Sequence, residues 1–232
     1  MARRKRKNVS MPRWPIVALV VVAVAAALWF ARAHLPALRL PAIVAEPGGV
    51  LSVDAAQVDA ANSGRRVRVT GLLTADGPVR DAQLGVSAAV AVLLRNVEMY
   101  QWREHCAGAT CSYDTSWGVP ADSRKFRDPQ GHENPAAPFA SAQFTAPGLK
   151  LGAFGVDATL LLAQHAPRTY PVTDAGLPPN MAASFSAQDG ALYAGGDPAH
   201  PQVGMLRVSY RVVPLGAATL EGVQRGTLLR AN

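Results

Sequence analysis

The sequence predicts a mainly β domain, β-rich α+β in class, lying on the extracytoplasmic side of a membrane behind a single N-terminal transmembrane helix. Three observations carry this. An uncharged run of 18 residues, Trp14 to Ala31, follows a basic cluster. Beyond it, short segments alternate apolar and polar residues and are divided by glycine, proline and aspartate. The only two cysteines, Cys106 and Cys111, stand where two such segments meet.

The N-terminal elements come first. Residues 1–13 hold Arg3, Arg4, Lys5, Arg6, Lys7 and Arg13 and no acid, so six of the formal charges in the net +7 sit in this tail. The rest of the chain is close to neutral, which argues against nucleic acid as a partner of the folded part. Residues 14–33 read as the anchor: a spanning helix needs roughly 17–25 apolar residues. Trp14 and Trp29 stand near its two ends, where indole rings favour the headgroup level. The basic cluster keeps the N-terminus cytoplasmic. Ala31-Arg32-Ala33 also fits a cleavage site after Ala33, so a signal peptide stays open as an alternative. The bulky Leu28-Trp29-Phe30 end favours retention. Both readings send the following residues out of the cytoplasm. Lysine occurs only four times beside plentiful arginine and alanine, a bias of GC-rich bacterial genomes. The expected location is therefore a bacterial inner membrane, with residues 50–232 in the periplasm.

Residues 34–49, punctuated by proline and glycine, read as a linker. Val67 and Val69 alternate with Arg66 and Arg68 as a half-buried strand. The run AAVAVLLRNVEMYQWREH alternates in its second half, while its start could be helical. Residues 118–138 form a polar loop. QFTAPGLKLGAF, ATLLLA, AASFSAQ, ALYAG, GMLRVSYRVV and TLEGVQRGTLL are further strand candidates. Asp-Gly inside SFSAQDGALYAG marks a hairpin.

The cysteines can be read by register. Placing Cys106 opposite Cys111 pairs Tyr100 with Trp117, Trp102 with Thr115 and Glu104 with Tyr113 on one face. The other face pairs Gln101 with Ser116, Arg103 with Asp114 and His105 with Ser112. One face gathers the aromatic side chains beside the cysteines, and the other opposes the one strong charge pair. A slip of one residue scatters both sets. An oxidising compartment then favours a disulfide, and the aromatic cluster is expected in the core. Zinc needs four ligands, and His105 falls on the opposite face. A redox motif needs two intervening residues rather than four. A nucleophilic thiol would have to be free.

The segments LLRNVEMYQWRE, YDTSW, DSRKF and GHENP resemble the transmembrane protein 43 family, also called LUMA. SGRRVRVTGLL upstream, and FTAPGLKLGAF, HPQVGMLRVSY and GVQRG downstream, extend the resemblance over residues 50–226. The residues that carry it are Glu98, Tyr100, Gln101, Trp102, Trp117, His132, Asn134 and Pro135. The resemblance implies a membrane protein with a first transmembrane helix near the N-terminus and a large non-cytoplasmic domain. For animal members it implies a place in nuclear-envelope organisation. The family pattern continues into several C-terminal membrane helices, and this sequence stops at Asn232 without them. The reading is thus of a bacterial member lacking those helices, or equally of a truncated chain, with a tight cysteine-closed turn where a longer connection is expected.

Among catalytic candidates, His132 and Glu133 in GHENP stand first, as base or ligand and as acid. Gly131, Asn134 and Pro135 are turn residues, so the histidine reads more readily as the pin of a loop. His165 and His200 lie beside prolines, and Ser123 and Ser141 sit in no nucleophile elbow. No cofactor is expected. The function expected is that of a non-enzymatic, membrane-anchored scaffold or binding module in envelope organisation. Its expected partners are envelope proteins or further copies of itself. The alternative is an envelope-polymer hydrolase or a solute-binding module using the His132/Glu133 loop.

Overall fold

A computed structural model describes residues 49–173 and 177–231. The tail, the anchor and the linker up to residue 48 lie outside the described residues. Among the described residues no helix is long and apolar enough to cross a membrane.

The first sheet closes on itself. It contains β1 (Leu51–Asp54), β2 (Arg66–Thr74), β8 (Lys150–Leu151), β9 (Phe154–Val156), β14 (Gly216–Arg225) and β15 (Leu228–Arg230), in the order β1-β2-β14-β15-β9-β8. β8 also pairs with β2, which closes β2-β14-β15-β9-β8 into a ring and leaves β1 outside it, paired with β2. The alternation of β2 explains its place: Val67 and Val69 are fully buried, while Arg68 reaches Glu221 on β14 at 2.6 Å. Val67, Val69, Leu151, Phe154, Leu220 and Leu229 form the centre of this core.

ATLLLA, expected as a strand, is the helix α1 (Ala158–Gln164). Asp157 decides this. Its carboxylate accepts from the Thr159 N–H at 2.8 Å, satisfying a donor that a helix start leaves free. Alanine and leucine are good helix formers, and Leu160 and Leu161 then face the core together.

The second sheet is ordered β11 (Phe185–Gln188), β12 (Ala191–Ala194), β13 (Leu206–Pro214), β5 (Val90–Ala107) and β6 (Thr110–Gly118). β10 (Arg168–Tyr170) adds to β13, and β7 (Ala142–Thr145) adds to β5. A small hairpin of β3 (Val79–Asp81) and β4 (Val86–Ala88) packs beside it, and the short helix α2 (Pro179–Ala182) precedes β11. The Asp-Gly hairpin forms as expected: Asp189 (φ 51°) and Gly190 (φ 76°) both take the left-handed conformation of a type I′ turn.

β5 organises the site. Its start is strand rather than helix, because it is paired on both edges and buried on both faces. Leu93, Val97 and Met99 face one core with Val208, Tyr210 and Val212. Ala91 and Val92 join the core of the closed sheet. That double burial accounts for the unbroken apolar run. Beyond Met99 the strand leaves both cores and continues as a hairpin with β6. The chain leaves β6 at Gly118, opposite Met99, and returns in β7 at Ala142, opposite Arg95. Residues 119–141 thus form a long loop that leaves and returns alongside β5.

Candidate functional site

The hairpin has the register read from the sequence. Tyr100 pairs with Trp117, Trp102 with Thr115, Arg103 with Asp114, Glu104 with Tyr113 and Cys106 with Cys111. The two sulfurs are bonded, with Cα atoms 4.1 Å apart. Glu104, Cys106 and Cys111 could bring one ligand atom each to a common point, but both sulfurs are taken up by the bond between them.

The aromatic face divides into two groups. In the lower one, Trp117 meets Tyr100 edge-on at 5.7 Å and Tyr193 of β12 at 6.1 Å. The Arg207 guanidinium lies 4.9 Å over the Trp117 ring and is held there by Glu98, whose Oε2 accepts from Nη2 at 2.8 Å. The Tyr100 and Thr115 hydroxyls are hydrogen-bonded at 2.9 Å. In the upper group, His132 stacks on Tyr113 at 3.8 Å and meets Trp102 edge-on at 4.9 Å. These rings are half-buried and belong to neither core cluster, which corrects the expectation that the hairpin aromatics are core. They form a surface platform that the 119–141 loop partly covers. On the reverse face Arg103 stands opposite Asp114 as expected, but the two side chains take different partners. Asp114 pairs with the His105 Nε2 at 3.2 Å, while Arg103 points its guanidinium along Gly118.

The loop is held by side chains that substitute for backbone. β13 hydrogen-bonds β5 as far as Tyr100, whose N–H donates to the Met205 carbonyl and whose carbonyl accepts from Gly204. At Trp102 the Asn134 amide takes over: its Oδ1 accepts from the Trp102 N–H at 2.8 Å, and its Nδ2 donates to the Trp102 carbonyl at 3.0 Å. The Asn134 N–H donates to the buried Ser123 hydroxyl at 2.8 Å. Pro135 lies over Gly204, where an added Cβ would meet its Cγ at 2.9 Å. Gln101, buried on the reverse face, clamps the loop's start by donating to the Val119 carbonyl and accepting from the Ala121 N–H.

Glu104 fastens the far end. Its carboxylate accepts from the Arg127 N–H and, at 2.8 Å, from the Tyr113 hydroxyl. The Arg127 bond first, then the Tyr113 bond, holds its carboxyl below the usual range. Burial, then the neighbouring Glu104, pushes the Tyr113 hydroxyl up. The Tyr113 oxygen accepts in turn from the Asp128 N–H, and the Arg127 side chain donates to the Gly108 and Ala109 carbonyls at the hairpin tip. His132 Nδ1 lies 3.1 Å from the Asp128 carbonyl. Glu133 turns back to accept from the Gly131 N–H, which lowers its pKa. Thus Glu98, Tyr100, Gln101, Trp102, Trp117, His132, Asn134 and Pro135 are brought into one hairpin–loop clasp. His165 and His200 lie elsewhere, on the Thr219 carbonyl and on Asp197.

Two open cavities flank the loop. One of about 530 Å³ includes Arg95, Pro120, Ala137 and Phe139; another of about 480 Å³ includes Pro120, Ser123, Asn134 and Ala137. Beneath the first lies a polar cluster that the sequence reading missed. Asp81 is 1% exposed and accepts from both the Arg95 Nη1 and, at 2.7 Å, the Tyr210 hydroxyl. Arg95 also donates to the Ala140 carbonyl and to Gln83 Oε1. Burial, and then the bond to Asp81, pushes the Tyr210 hydroxyl far up. The signal was a single arginine between Leu93 and Val97 on the buried face of an otherwise apolar strand.

A family model described as Transmembrane protein 43 matches residues 99–231. The chain is 30% identical over 170 residues to Transmembrane protein 43 of Rattus norvegicus, covering 67% of this chain and 42% of that one. It is 29% identical over 163 residues to that of Homo sapiens, covering 64% and 40%. Over 114 residues it is 33% identical to that of Mus musculus, covering 43% and 28%. The chain spans about two fifths of the length of the first two relatives. No solved structure matches it. The matched region begins at the strand that carries the aromatic clasp and runs through every element of the second sheet that follows it, and the chain belongs to the transmembrane protein 43 family.

Proposed function

We propose that this chain is a membrane-anchored, non-enzymatic binding module of the transmembrane protein 43 type, and that the β5–β6 hairpin with its 119–141 loop is its contact element. The observation that supports this reading is how the GHENP groups are used. His132 is stacked on Tyr113 and edge-on to Trp102, Glu133 is turned onto its own loop, and Asn134 is committed to Trp102. Groups spent on holding a loop are poorly placed to move a proton on a substrate, which requires a free side chain within hydrogen-bond reach. The half-buried aromatic platform suits contact with another protein, since tyrosine, tryptophan and arginine are enriched at such surfaces.

The basic tail and the apolar run after it support an anchor with the N-terminus in the cytoplasm and the β domain in the periplasm of a bacterial inner membrane. The family's name agrees with membrane association. Envelope proteins or copies of the chain itself are the partners proposed, in a scaffold role. Alkaline carbonate extraction of membranes tests the anchor: the chain should stay in the pellet, and full recovery in the supernatant would contradict it. Incubation of the purified chain with peptidoglycan tests the non-enzymatic part. Release of soluble fragments above a heat-denatured control would overturn it.

A further inference from the structure

The outer edge of β6 is open. β6 is the last strand of its sheet. Tyr100 and Trp102 turn their backbone groups away from β6, toward Met205, Gly204 and Asn134. Their partners Trp117 and Thr115 therefore turn theirs outward, as non-hydrogen-bonded pairs of an antiparallel ladder do. By alternation Tyr113 and Cys111 do the same. Among the described residues no hydrogen bond reaches the backbone groups of Tyr113, Thr115 or Trp117 from this side. Natural sheets guard such an edge with lysine, proline or a bulge. β6 has none of these: its sequence is TCSYDTSWG, and its register with β5 is continuous. Its one charge, Asp114, is engaged by His105.

The strand is also nearly self-complementary about Thr115. Reading outward in both directions gives Asp114 and Ser116, then Tyr113 and Trp117, then Ser112 and Gly118. We propose that two copies of this chain pair edge to edge through β6, antiparallel, with a two-fold axis at Thr115. This rests on the hairpin being the contact element. In this register Thr115 faces its counterpart, and Tyr113 faces Trp117 of the second copy. Each facing pair exchanges two backbone hydrogen bonds. The aromatic pairs fall on the face that already carries the two ring groups, so the platforms of the two copies join across the boundary. On the other face Asp114 meets a serine hydroxyl. Registers shifted toward the hairpin tip are worse. An axis at Asp114 opposes two carboxylates, which destabilises a sheet pair. An axis at Tyr113 sets Trp117 against Ala109 in the turn at the hairpin tip.

The test uses the full chain in detergent micelles. Its cysteines are both in the disulfide, so an introduced thiol is the only free one among the described residues. Facing residues in a hydrogen-bonded pair lie about 5.5 Å apart at Cα, within the span of a disulfide. Thr115→Cys should therefore form a covalent dimer under mild oxidation, while Ser112→Cys should not. Light scattering should give the wild type about twice the monomer's protein mass, as a two-fold assembly requires. Amide exchange at Tyr113, Thr115 and Trp117 should slow as protein concentration rises. A monomer whose exchange at these amides is independent of concentration would overturn the proposal while leaving the contact reading intact. Equal cross-linking at residues 112 and 115 would overturn the register. Peptidoglycan hydrolysis, by contrast, would sink the contact reading without affecting the cross-link.

Discussion

Asn134 holds Trp102 by both backbone atoms, accepting from its N–H at 2.8 Å and donating to its carbonyl at 3.0 Å. One side-chain amide thereby does what the next residue pair of β13 would have done. It closes the edge of β5 where that strand leaves its sheet and fastens the 119–141 loop in the same contact. Asn134→Leu leaves two strand groups without partners and should destabilise the domain by about 1–3 kcal/mol. Asn134→Asp keeps the acceptor and loses the donor, so it should cost less. Urea unfolding of both variants, with amide exchange at Trp102, checks the order.

Asp81, Arg95 and Tyr210 form a buried unit under the same loop. Arg95→Met strands the Asp81 carboxylate in a site that is 1% exposed, and removing one partner of a buried pair costs about 3–5 kcal/mol. Arg95→Met with Asp81→Leu should be much less harmful than the single changes added together. A double-mutant cycle by denaturant unfolding measures the difference.

Glu104 gives the clasp a pH dependence. Its folded pKa lies below the ordinary value because the Arg127 N–H and the Tyr113 hydroxyl bond its charged form. The stabilisation is therefore present above the unfolded value of about 4.3 and fades as pH falls through the folded value. The Tm difference between wild type and Glu104→Gln should be constant near neutrality and shrink in acid. Scanning calorimetry from pH 7 to pH 3 checks this, and a difference that grows in acid would reverse the assignment.

Gly222 lies where β14 passes close to two neighbours. A Cβ there would meet the Arg230 carbonyl oxygen at 2.6 Å and Leu160 Cδ2 at 2.8 Å. The carbonyl is backbone and cannot swing aside. Gly222→Ala should destabilise the closed sheet by about 1–3 kcal/mol through overpacking, read as a lowered urea midpoint with an unchanged slope.

The sequence made the hairpin legible because period and register are local properties. Once the cysteines face each other, every pair from Tyr100 to Cys106 is determined, and the Asp-Gly turn at Asp189 and Gly190 is equally local. What escaped depends on distant partners. ATLLLA was ambiguous as a short apolar run, and only the Asp157 cap and the neighbouring core settle it as helix. The start of β5 reads as helix or strand until β13 and β7 are placed on its edges. The Asp81–Arg95–Tyr210 cluster joins β3 and β5 to β13, 129 residues beyond Asp81, and only the lone arginine hinted at it. The ring of His132 between Tyr113 and Trp102 needs the loop to fold back over the hairpin, which no spacing announces.

On the function proposed above, the GHENP loop pins a contact surface and performs no chemistry. His132→Ala measures it most directly, with thermal stability and peptidoglycan hydrolysis followed on the same sample. Removing a ring that stacks on one aromatic and meets another edge-on should cost about 0.5–1.5 kcal/mol beyond its buried area. The account expects a lower Tm, a shifted Trp102 fluorescence and hydrolysis no different from the heat-denatured control before and after the change. A hydrolytic rate in the wild type that His132→Ala abolishes at unchanged Tm would contradict it.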